Sequence, residues 1–212
     1  MRTLVVGDVH GCAGELEELL ALAKADRVVF VGDLFTKGPD PVGVWNLARE
    51  HESVLGNHEA RLLRVAGGRP SRDVAARECV RLLDAGAPGW LVWVGRLPRT
   101  LQVKGFVVVH AGLHPSGDLT QTDDKWMVSM RHFPFRDYSA PFWHDHYVGS
   151  KPVIFGHHAA RGLVRIYKDE RPYLLGLDTG CVYGGQLTGY LIEEDRLLQV
   201  GAREVYEEPL VP

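Results

Sequence analysis

Side chains that can bind a metal ion recur at the ends of five short apolar segments of the chain. Each segment reads as a strand followed at once by glycine together with aspartate, asparagine or histidine. These segments are Val6-Gly7-Asp8-Val9-His10-Gly11, Val31-Gly32-Asp33, Leu55-Gly56-Asn57-His58-Glu59, Val109-His110-Ala111-Gly112 and Phe155-Gly156-His157-His158. Because ligand sites of open α/β sheets lie where the carboxyl ends of strands converge, we expect the five exits to direct polar atoms to one place.

The candidate ligands offer carboxylate, amide and imidazole groups and no thiolate. They are Asp8, His10, Asp33, Asn57, His110 and His157. Mixed oxygen and nitrogen donors are typical of sites for Mn, Fe, Zn, Co or Ni, whereas a structural zinc site favours cysteines. Six side chains exceed the needs of one catalytic ion, but they suit two ions that share a bridging carboxylate, the recurring device of phosphoester hydrolysis.

Each turn taken alone has an ordinary structural explanation. A Gly-Asp pair after a strand commonly caps its own backbone, and Asn57 stands where it could cap the helix that follows. Independent turns have no reason to repeat ligand-type residues at the same relative place. Their recurrence therefore favours the metal site.

The elements that must position these residues have the pattern of an α/β fold. In the first third of the chain, apolar runs at residues 3–6, 27–31 and 53–55 alternate with helical patterns at 15–24, 41–50, 57–66 and 71–83. Residues 89–95 suit either a helix or a strand. The second half predicts mostly strands, at residues 106–109, 153–155, 173–177, 189–192 and 197–200.

Composition limits the classes of protein that the chain can represent. Its 212 residues suit one domain spanning 1–212, and 24 Lys and Arg against 27 Asp and Glu give a charge of -3. Because positive and negative side chains are nearly balanced, we expect neither a membrane surface nor extended nucleic acid as a partner. No apolar run approaches the roughly 20 residues of a membrane span, and we expect a soluble, cytoplasmic protein. The three scattered cysteines predict free thiols.

In this order along the chain, the five motifs resemble the signature of the calcineurin-like metallophosphoesterases. The resemblance runs from Asp8 to about Gly185 and lies in the branch of Ser/Thr protein phosphatases and symmetrical diadenosine tetraphosphate hydrolases. It implies two facing mixed β-sheets flanked by helices, in a four-layer α/β/β/α arrangement. It also implies that Asp8, His10 and Asp33 hold one metal, and that Asp33 bridges to a second held by Asn57, His110 and His157.

The same resemblance assigns catalytic roles. It implies that His58 is the catalytic acid, and that Lys37 and Arg131 bind phosphate oxygens. Two ions lower the pKa of a shared water, so the expected nucleophile is a metal-bridging hydroxide that attacks phosphorus in line. Lys37 stands where the family usually has arginine, and Thr36 where protein phosphatases have an acid that orients the histidine. A lysine lacks the planar two-pronged donor set of arginine.

Two marks indicate the substrate. The segments Gly176-Leu177-Asp178-Thr179-Gly180-Cys181 and Gly184-Gly185-Gln186-Leu187-Thr188 resemble the C-terminal segment of the symmetrical dinucleoside tetraphosphate hydrolases, which also lack the acid at the Thr36 position. We therefore expect hydrolysis of dinucleoside polyphosphates such as diadenosine tetraphosphate. The expected cofactors are two divalent ions, Mn²⁺ in the first place, with Fe, Zn, Co or Ni as alternatives. A Ser/Thr protein phosphatase acting on phosphoproteins is the second hypothesis, and a metal-binding protein without turnover is the third. The oligomeric state stays open.

Residues 112–151 form a long connection without clear periodicity. Such connections in compact domains are usually functional, so we interpret this one as a cap over the site. Its aromatic residues suit either stacking on a nucleobase or packing within the cap. They are Trp126, Phe133, Phe135, Tyr138, Phe142 and Trp143. We interpret His144, His146 and His158 as ordinary polar residues, because the expected ligands are already assigned.

Overall fold

Two five-stranded sheets and six helices make up the computed structural model, which describes residues 1–208. The helices are α1 (Ala13–Ala23), α2 (Pro41–Ala48), α3 (Asn57–Ala66), α4 (Val74–Gly86), α5 (Trp90–Gly95) and α6 (Asp124–Ser129). The strands are β1 (Thr3–Val6), β2 (Arg27–Phe30), β3 (Glu52–Ser53), β4 (Thr100–Val103), β5 (Phe106–Val109), β6 (Val153–Phe155), β7 (Val164–Lys168), β8 (Arg171–Gly176), β9 (Gln186–Leu191) and β10 (Arg196–Gly201).

Both sheets are mixed, and each has a parallel centre. The first has the order β10-β9-β1-β2-β3, with β1, β2 and β3 parallel and β9 antiparallel to β1. The second has the order β4-β5-β6-β8-β7, with β5, β6 and β8 parallel and antiparallel strands at both edges. Since parallel strands end at the same edge of a sheet, the loops after all six of these strands can converge.

Alternation of side chains along the strands builds three apolar cores. Leu4 and Val6 of β1 pack into a core shared with the helices, whereas Val5 faces a core to which the second sheet contributes Val108 and Ile154. Successive residues of a strand point to opposite faces, so the two sheets lie face to face around this central core. The far side of the second sheet is covered by a third core that includes Met130, Trp143 and Tyr147.

The predicted fold class is confirmed, with a thin fourth layer. Helices α1 to α5 cover the first sheet, but only α6 and short 3₁₀ turns cover the second. The segment that we expected to act as a cap supplies this layer. Trp143 is fully buried in it, and Trp126, Phe133 and Phe135 pack at its margin, so core packing accounts for most of its aromatic residues.

Several elements differ from their sequence-based predictions. Residues 89–95, for which the sequence suited either a helix or a strand, contain helix α5. The strand expected at 53–55 is the two-residue β3. Strands β4 and β7 and helix α6 had no predicted counterpart. Strand β4 pairs with β5 across a tight turn at Lys104 and Gly105, both with positive φ, and β7 is an exposed edge strand. Its exposed face hides the alternation that usually identifies a strand.

The free cysteines were predicted correctly. Cys12, Cys79 and Cys181 are all buried and unpaired. Among residues 1–208, no helix is both long and apolar enough to cross a bilayer.

Candidate metal centre

The structure brings together all six candidate ligands and His58. Asp8 and His10 follow β1, Asp33 follows β2, and His110 and His157 follow β5 and β6. Asn57 and His58 open α3 after the short strand β3. The centre therefore takes side chains from the ends of five parallel strands, distributed over both sheets.

Three of these residues adopt a left-handed backbone that is uncommon outside glycine. His10, Asp33 and His157 have φ of 48°, 54° and 72°. Their turns are fixed by hydrogen bonds between loops: the His10 amide donates to the Asp33 carbonyl at 2.8 Å, and the Gly156 amide donates to the His110 carbonyl at 2.8 Å. Such strain persists only where surrounding contacts hold it, and it is concentrated at functional sites.

Asp33 lies at the middle of the centre. Its Oδ2 is 3.6 Å from Nε2 of His10, 3.5 Å from Nε2 of His110 and 4.0 Å from Nε2 of His58. Two groups of potential ligand atoms share this carboxylate, one with His10 and His58 and one with His110 and His157, and within each group the atoms lie within 4.8 Å of one another. This is the arrangement that a carboxylate between two ions requires.

The other carboxylate oxygen of Asp33 stabilises the start of helix α3. Oδ1 accepts the His58 amide at 2.9 Å and so caps the first turn of α3 from a neighbouring loop. Gly56 is the residue that precedes the helix and has no side chain to do this. A carboxylate at a helix N-terminus is stabilised by the free amides and the helix dipole.

Asn57 faces the histidines instead of capping its helix. Its Oδ1 lies 2.9 Å from Nε2 of His110 and 3.0 Å from Nδ1 of His157. The alternative interpretation of Asn57 as a helix cap is therefore wrong. An amide oxygen between two imidazole nitrogens, with carboxylates nearby, fits a divalent transition metal in type of donor.

Asp8 is oriented by the loop after β6. Its carboxylate accepts the His157 amide at 3.1 Å and 3.2 Å, and Oδ2 lies 4.0 Å from Nε2 of His10. His58 lies in one group of potential ligand atoms with His10 and Asp33, where the resemblance leads one to expect Asp8. His10 thus has the Asp8 carboxylate on one side and belongs to a group with Asp33 and His58.

Burial and mutual charge shift the titration of the acidic groups. Burial, reinforced by the carboxylate of Asp178, raises the pKa of Asp8 well above its usual range. Burial also acts to raise the pKa of Asp33, but the neighbouring histidines outweigh it and hold that pKa well below its usual range. Several carboxylates in one buried cleft form a site that cations would stabilise.

The histidines divide into two electrostatic types. Burial lowers the pKa of His10 and of His157 well below the ordinary value. Burial acts on His110 in the same direction, but the Asp33 carboxylate dominates and raises the pKa of His110 to about 10. The His110 Nδ1 also lies 2.8 Å from the Val31 carbonyl, which fixes the ring and leaves Nε2 facing the cleft.

His58 is held by the hydroxyl of the Thr36 side chain. Thr36 Oγ1 lies 2.6 Å from Nδ1 of His58, and both residues are buried. If Thr36 donates to Nδ1, the neutral ring carries its proton on Nε2, toward the cleft. Burial, opposed by the Asp33 charge, lowers the pKa of His58 to about 4.

Two cationic side chains flank the centre. Lys37 donates a hydrogen bond from Nζ to the hydroxyl of Tyr183, and Nζ also lies 4.8 Å from the centre of the Tyr183 ring. Arg131 is exposed, with Nη2 3.5 Å from the His157 carbonyl. Both line a cleft of about 430 Å³ that also contains His10, Asp33, Asn57, His58 and His157.

Sequence reasoning missed three residues around this centre. Glu59 is fully buried, and its carboxylate accepts the amides of Asp33 at 2.7 Å and Leu34 at 2.8 Å, so it joins helix α3 to the loop after β2. Asp178, after β8, lines the cleft, and burial raises its pKa to about 6. Its Leu-Asp-Thr-Gly context repeats the pattern of strand, acid and glycine, a signal that could have identified it. Tyr183 gives no such signal.

A larger groove elsewhere holds none of the candidate ligands. It has a volume of about 620 Å³ and is lined by Trp45 of α2, Trp93 of α5 and residues of the segments that flank these helices. The chemistry of the donor set, not the volume, therefore identifies the smaller cleft as the candidate site. Of the histidines interpreted as ordinary polar residues, His158 lines this cleft and His146 is exposed. His144 is buried, with neither ring nitrogen hydrogen-bonded.

The fold and the site define the class of protein. The model of the calcineurin-like phosphoesterase family matches residues 1–186, so the chain belongs to this family of metal-using hydrolases of phosphoester and phosphoanhydride bonds. Among curated proteins, it is similar to the symmetrical bis(5'-nucleosyl)-tetraphosphatase of Edwardsiella ictaluri, with 39% identity over 57% of this chain and 47% of that protein. The matched part is thus about half the length of that relative.

Two further relatives are matched over most of their length. The symmetrical bis(5'-nucleosyl)-tetraphosphatase of Ralstonia nicotianae is 29% identical over 86% of each chain. A solved structure provisionally described as a diadenosine tetraphosphatase is 30% identical, with a TM-score of 0.79 over 95% of this chain and 93% of that one. The predicted family and the predicted enzyme class are both confirmed.

Proposed function

We propose that the protein is a dinuclear metal-dependent hydrolase of dinucleoside polyphosphates such as diadenosine tetraphosphate. The observation that carries the proposal is the placement of Asp33 Oδ2, within 4.0 Å of imidazole nitrogens on both sides. One carboxylate shared by two groups of ligands provides for two ions close together. The names of the relatives at 29% and 39% identity support the substrate class.

The six predicted ligands divide into two sets around the shared carboxylate. In the proposal, Asp8 and His10 complete one site with Asp33, and Asn57, His110 and His157 complete the other. When bound, a pair of divalent ions, Mn²⁺ in our proposal, supplies an activated water and neutralises phosphoryl charge. The left-handed turns and the hydrogen bonds between loops hold the ligands in place before binding.

His58 is proposed to protonate the leaving oxygen. Its Nδ1 is occupied by Thr36, so the proton available to a substrate is on Nε2. In the protein without substrate, burial lowers the pKa of His58 to about 4, although the negative charge of Asp33 acts to raise it. A polyphosphate in the cleft adds negative charge, which acts in the opposite direction and favours the protonated donor.

Lys37 and Arg131 are proposed to bind phosphate oxygens. Both border the cleft, and no carboxylate of residues 1–208 lies within ion-pair distance of either. Tyr183 positions Lys37, which lacks the fixed fork of an arginine and therefore gains from a partner that limits its motion. Water addition to a phosphoanhydride of diadenosine tetraphosphate yields two nucleoside diphosphates when the cut is symmetrical.

A panel of substrates tests the proposal. The protein is purified without metal, loaded with Mn²⁺ or treated with a chelator, and given diadenosine tetraphosphate, a phosphoserine peptide and p-nitrophenyl phosphate. We expect two molecules of ADP per diadenosine tetraphosphate and a kcat/KM more than about tenfold above that of the peptide, which corresponds to about 1.4 kcal/mol in barrier. Chelation should abolish turnover.

The Asp33→Asn variant, purified in parallel, serves as the control for contaminating phosphatases. A tenfold preference for the peptide would favour a Ser/Thr protein phosphatase. Absence of turnover with every substrate and metal would favour a metal-binding protein without activity.

A further inference from the structure

A second cleft opens beside the candidate metal centre. It has a volume of about 260 Å³, and Arg131 and His157 line both clefts. We call it the rim pocket and define it by His132, Phe135, Arg136 and Tyr138 together with these two shared residues. The rim pocket and the cleft of the candidate centre therefore adjoin at Arg131 and His157.

The rim pocket is lined by aromatic rings that are not fully buried in an apolar core. Tyr138 is 78% exposed, and its ring lies edge-on to His132 at 6.0 Å. Phe135 is half-buried and packs only at the margin of the third core. Buried aromatic rings are explained by packing, whereas an almost fully exposed tyrosine beside a catalytic cleft offers a face for stacking.

Its charge is positive and uncompensated. Arg131 and Arg136 both line the rim pocket, and no acidic side chain does. Within the described part of the chain, neither guanidinium forms an ion pair, and Asp137, the nearest acid in sequence, accepts hydrogen bonds from Ser139. The Arg136 guanidinium lies 5.4 Å from the centre of the Phe135 ring. Cations beside aromatic rings suit a planar base attached to phosphates.

We propose that the rim pocket binds one of the two nucleosides of the substrate. The base stacks on Tyr138, and Arg131 and Arg136 contact the phosphate chain as it leaves the metal centre. This inference rests on the proposed function and adds the residues that distinguish a dinucleoside polyphosphate from a bare phosphate chain. A phosphopeptide offers no obligatory planar group to the exposed ring, so the pocket favours the nucleotide substrate.

Substitution of Tyr138 tests the stacking contact. Because stacking on an aromatic side chain contributes about 1–3 kcal/mol per base, Tyr138→Ala should raise KM for diadenosine tetraphosphate by about five- to 150-fold while kcat changes little. Tyr138→Phe keeps the ring and should restore the KM. The inhibition constant of inorganic tetraphosphate, which has the same phosphate chain and no base, should not follow the change.

Arg136→Gln tests the charge. It should weaken both diadenosine tetraphosphate and inorganic tetraphosphate, because it removes a contact to phosphate. Arg171→Gln is the matched control, since Arg171 is also an exposed arginine and begins β8, at the opposite end from the cleft. For Tyr138→Ala, an unchanged KM, or an equal loss for diadenosine tetraphosphate and inorganic tetraphosphate, would overturn the inference.

Failure of the proposed function is separable from failure of the rim pocket. If the wild-type protein hydrolyses p-nitrophenyl phosphate but not diadenosine tetraphosphate, the proposed function fails, and calorimetric binding of ADP is then compared between wild type and Tyr138→Ala. Weaker binding in the variant supports the rim pocket as a nucleoside site. Equal binding overturns it.

Discussion

At the scale of single residues, Asp33 joins structure to chemistry. Its Oδ1 caps α3 through the His58 amide, while Oδ2 faces three histidines. One side chain thus sets the position of His58 and occupies the middle of the set of predicted ligands. The left-handed φ of 54° at this residue turns the carboxylate into the cleft directly after β2.

Asp33→Asn should separate these two tasks. The amide oxygen can still accept the His58 amide, so the fold should persist, but the shared negative charge is lost. We expect the affinity for Mn²⁺ to fall by about ten- to a hundredfold. The loss is measured as metal content by elemental analysis after gel filtration. Asp169→Asn, in the exposed turn between β7 and β8, is the matched control. Two firmly retained ions in Asp33→Asn would contradict the bridging role.

The contact between Thr36 and His58 makes a second prediction. His58→Ala should lower turnover by about 10²- to 10⁴-fold, most for poor leaving groups, while metal content stays near normal. Thr36→Val removes the hydroxyl and keeps the shape, and it should cost about 1 kcal/mol, or about fivefold in turnover. His146→Ala is the control for loss of an exposed histidine.

The two changes should not be additive if Thr36 acts through His58. In the double variant, Thr36→Val should have no further effect on turnover beyond that of His58→Ala, as a double-mutant cycle would show. A full additional fivefold loss would show that Thr36 acts independently of the histidine.

At the scale of elements, Glu59 fixes helix α3 to the loop after β2. Its buried carboxylate accepts two backbone amides from that loop, so the helix and the loop can shift only together. The loop carries Asp33 and the helix carries Asn57 and His58. Alignment of the two halves of the candidate centre therefore depends on Glu59, which is not among the predicted ligands, as well as on the contact of Asp33 with the His58 amide.

Glu59→Gln should show this dependence. The amide group cannot accept both backbone N–H groups, so one is left unsatisfied, and we expect a loss of about 1–3 kcal/mol in the free energy of unfolding, measured by urea denaturation. Mn²⁺ content should fall in the same variant. Glu17→Gln, at an exposed position of α1, provides the comparison. Wild-type stability in Glu59→Gln would show that the two hydrogen bonds contribute nothing.

The central elements could be predicted from sequence because their signal is local. Continuous apolar runs located β1, β5 and β6 at their observed bounds, and helical periodicity located α3. Strands β4 and β7 were missed because an edge strand with an exposed face has a weak pattern. Helix α6 is only six residues long, too short for periodicity to define.

The candidate site divides in the same way. The ligand set follows from what comes after each strand, which neighbouring residues reveal. Glu59 acts through Asp33, 26 positions away in the sequence, and Tyr183 acts through Lys37, 146 positions away. Residues adjacent to Glu59 and Tyr183 in the chain therefore do not predict these contacts. The pairing of Thr36 with His58 could be anticipated only through the resemblance to related enzymes.

At the scale of the whole molecule, both ends of the described chain are needed to place the first ligands. Strand β1 lies between β2 and β9, and the Gly7 amide donates to the Thr188 carbonyl at 2.9 Å. The turn that carries Asp8 is therefore fixed by a strand about 180 residues away in sequence. Two sheets contribute ligands to one cleft, so the centre is a property of the complete arrangement.

The charge balance of this arrangement predicts a pH-dependent affinity for metal. With a pKa raised to about 10, His110 is protonated at pH 7, whereas a ligand imidazole must be unprotonated. Metal binding should therefore expel this proton, and Mn²⁺ affinity should rise with pH by up to about tenfold per unit between pH 6 and 8. Calorimetry in two buffers of different ionisation enthalpy measures the proton release. Heats that do not depend on the buffer would contradict the linkage.

Two glycines set limits on redesign of the enzyme for other substrates. A Cβ at Gly56 would stand 2.2 Å from Oδ1 of Asp33, and one at Gly156 would stand 2.0 Å from Oδ1 of Asp8. Any side chain there would displace a carboxylate, so mutagenesis libraries should leave both codons fixed. Variation can instead be concentrated at Arg136 and Tyr138, whose exposed side chains can change without disturbing the framework beneath them.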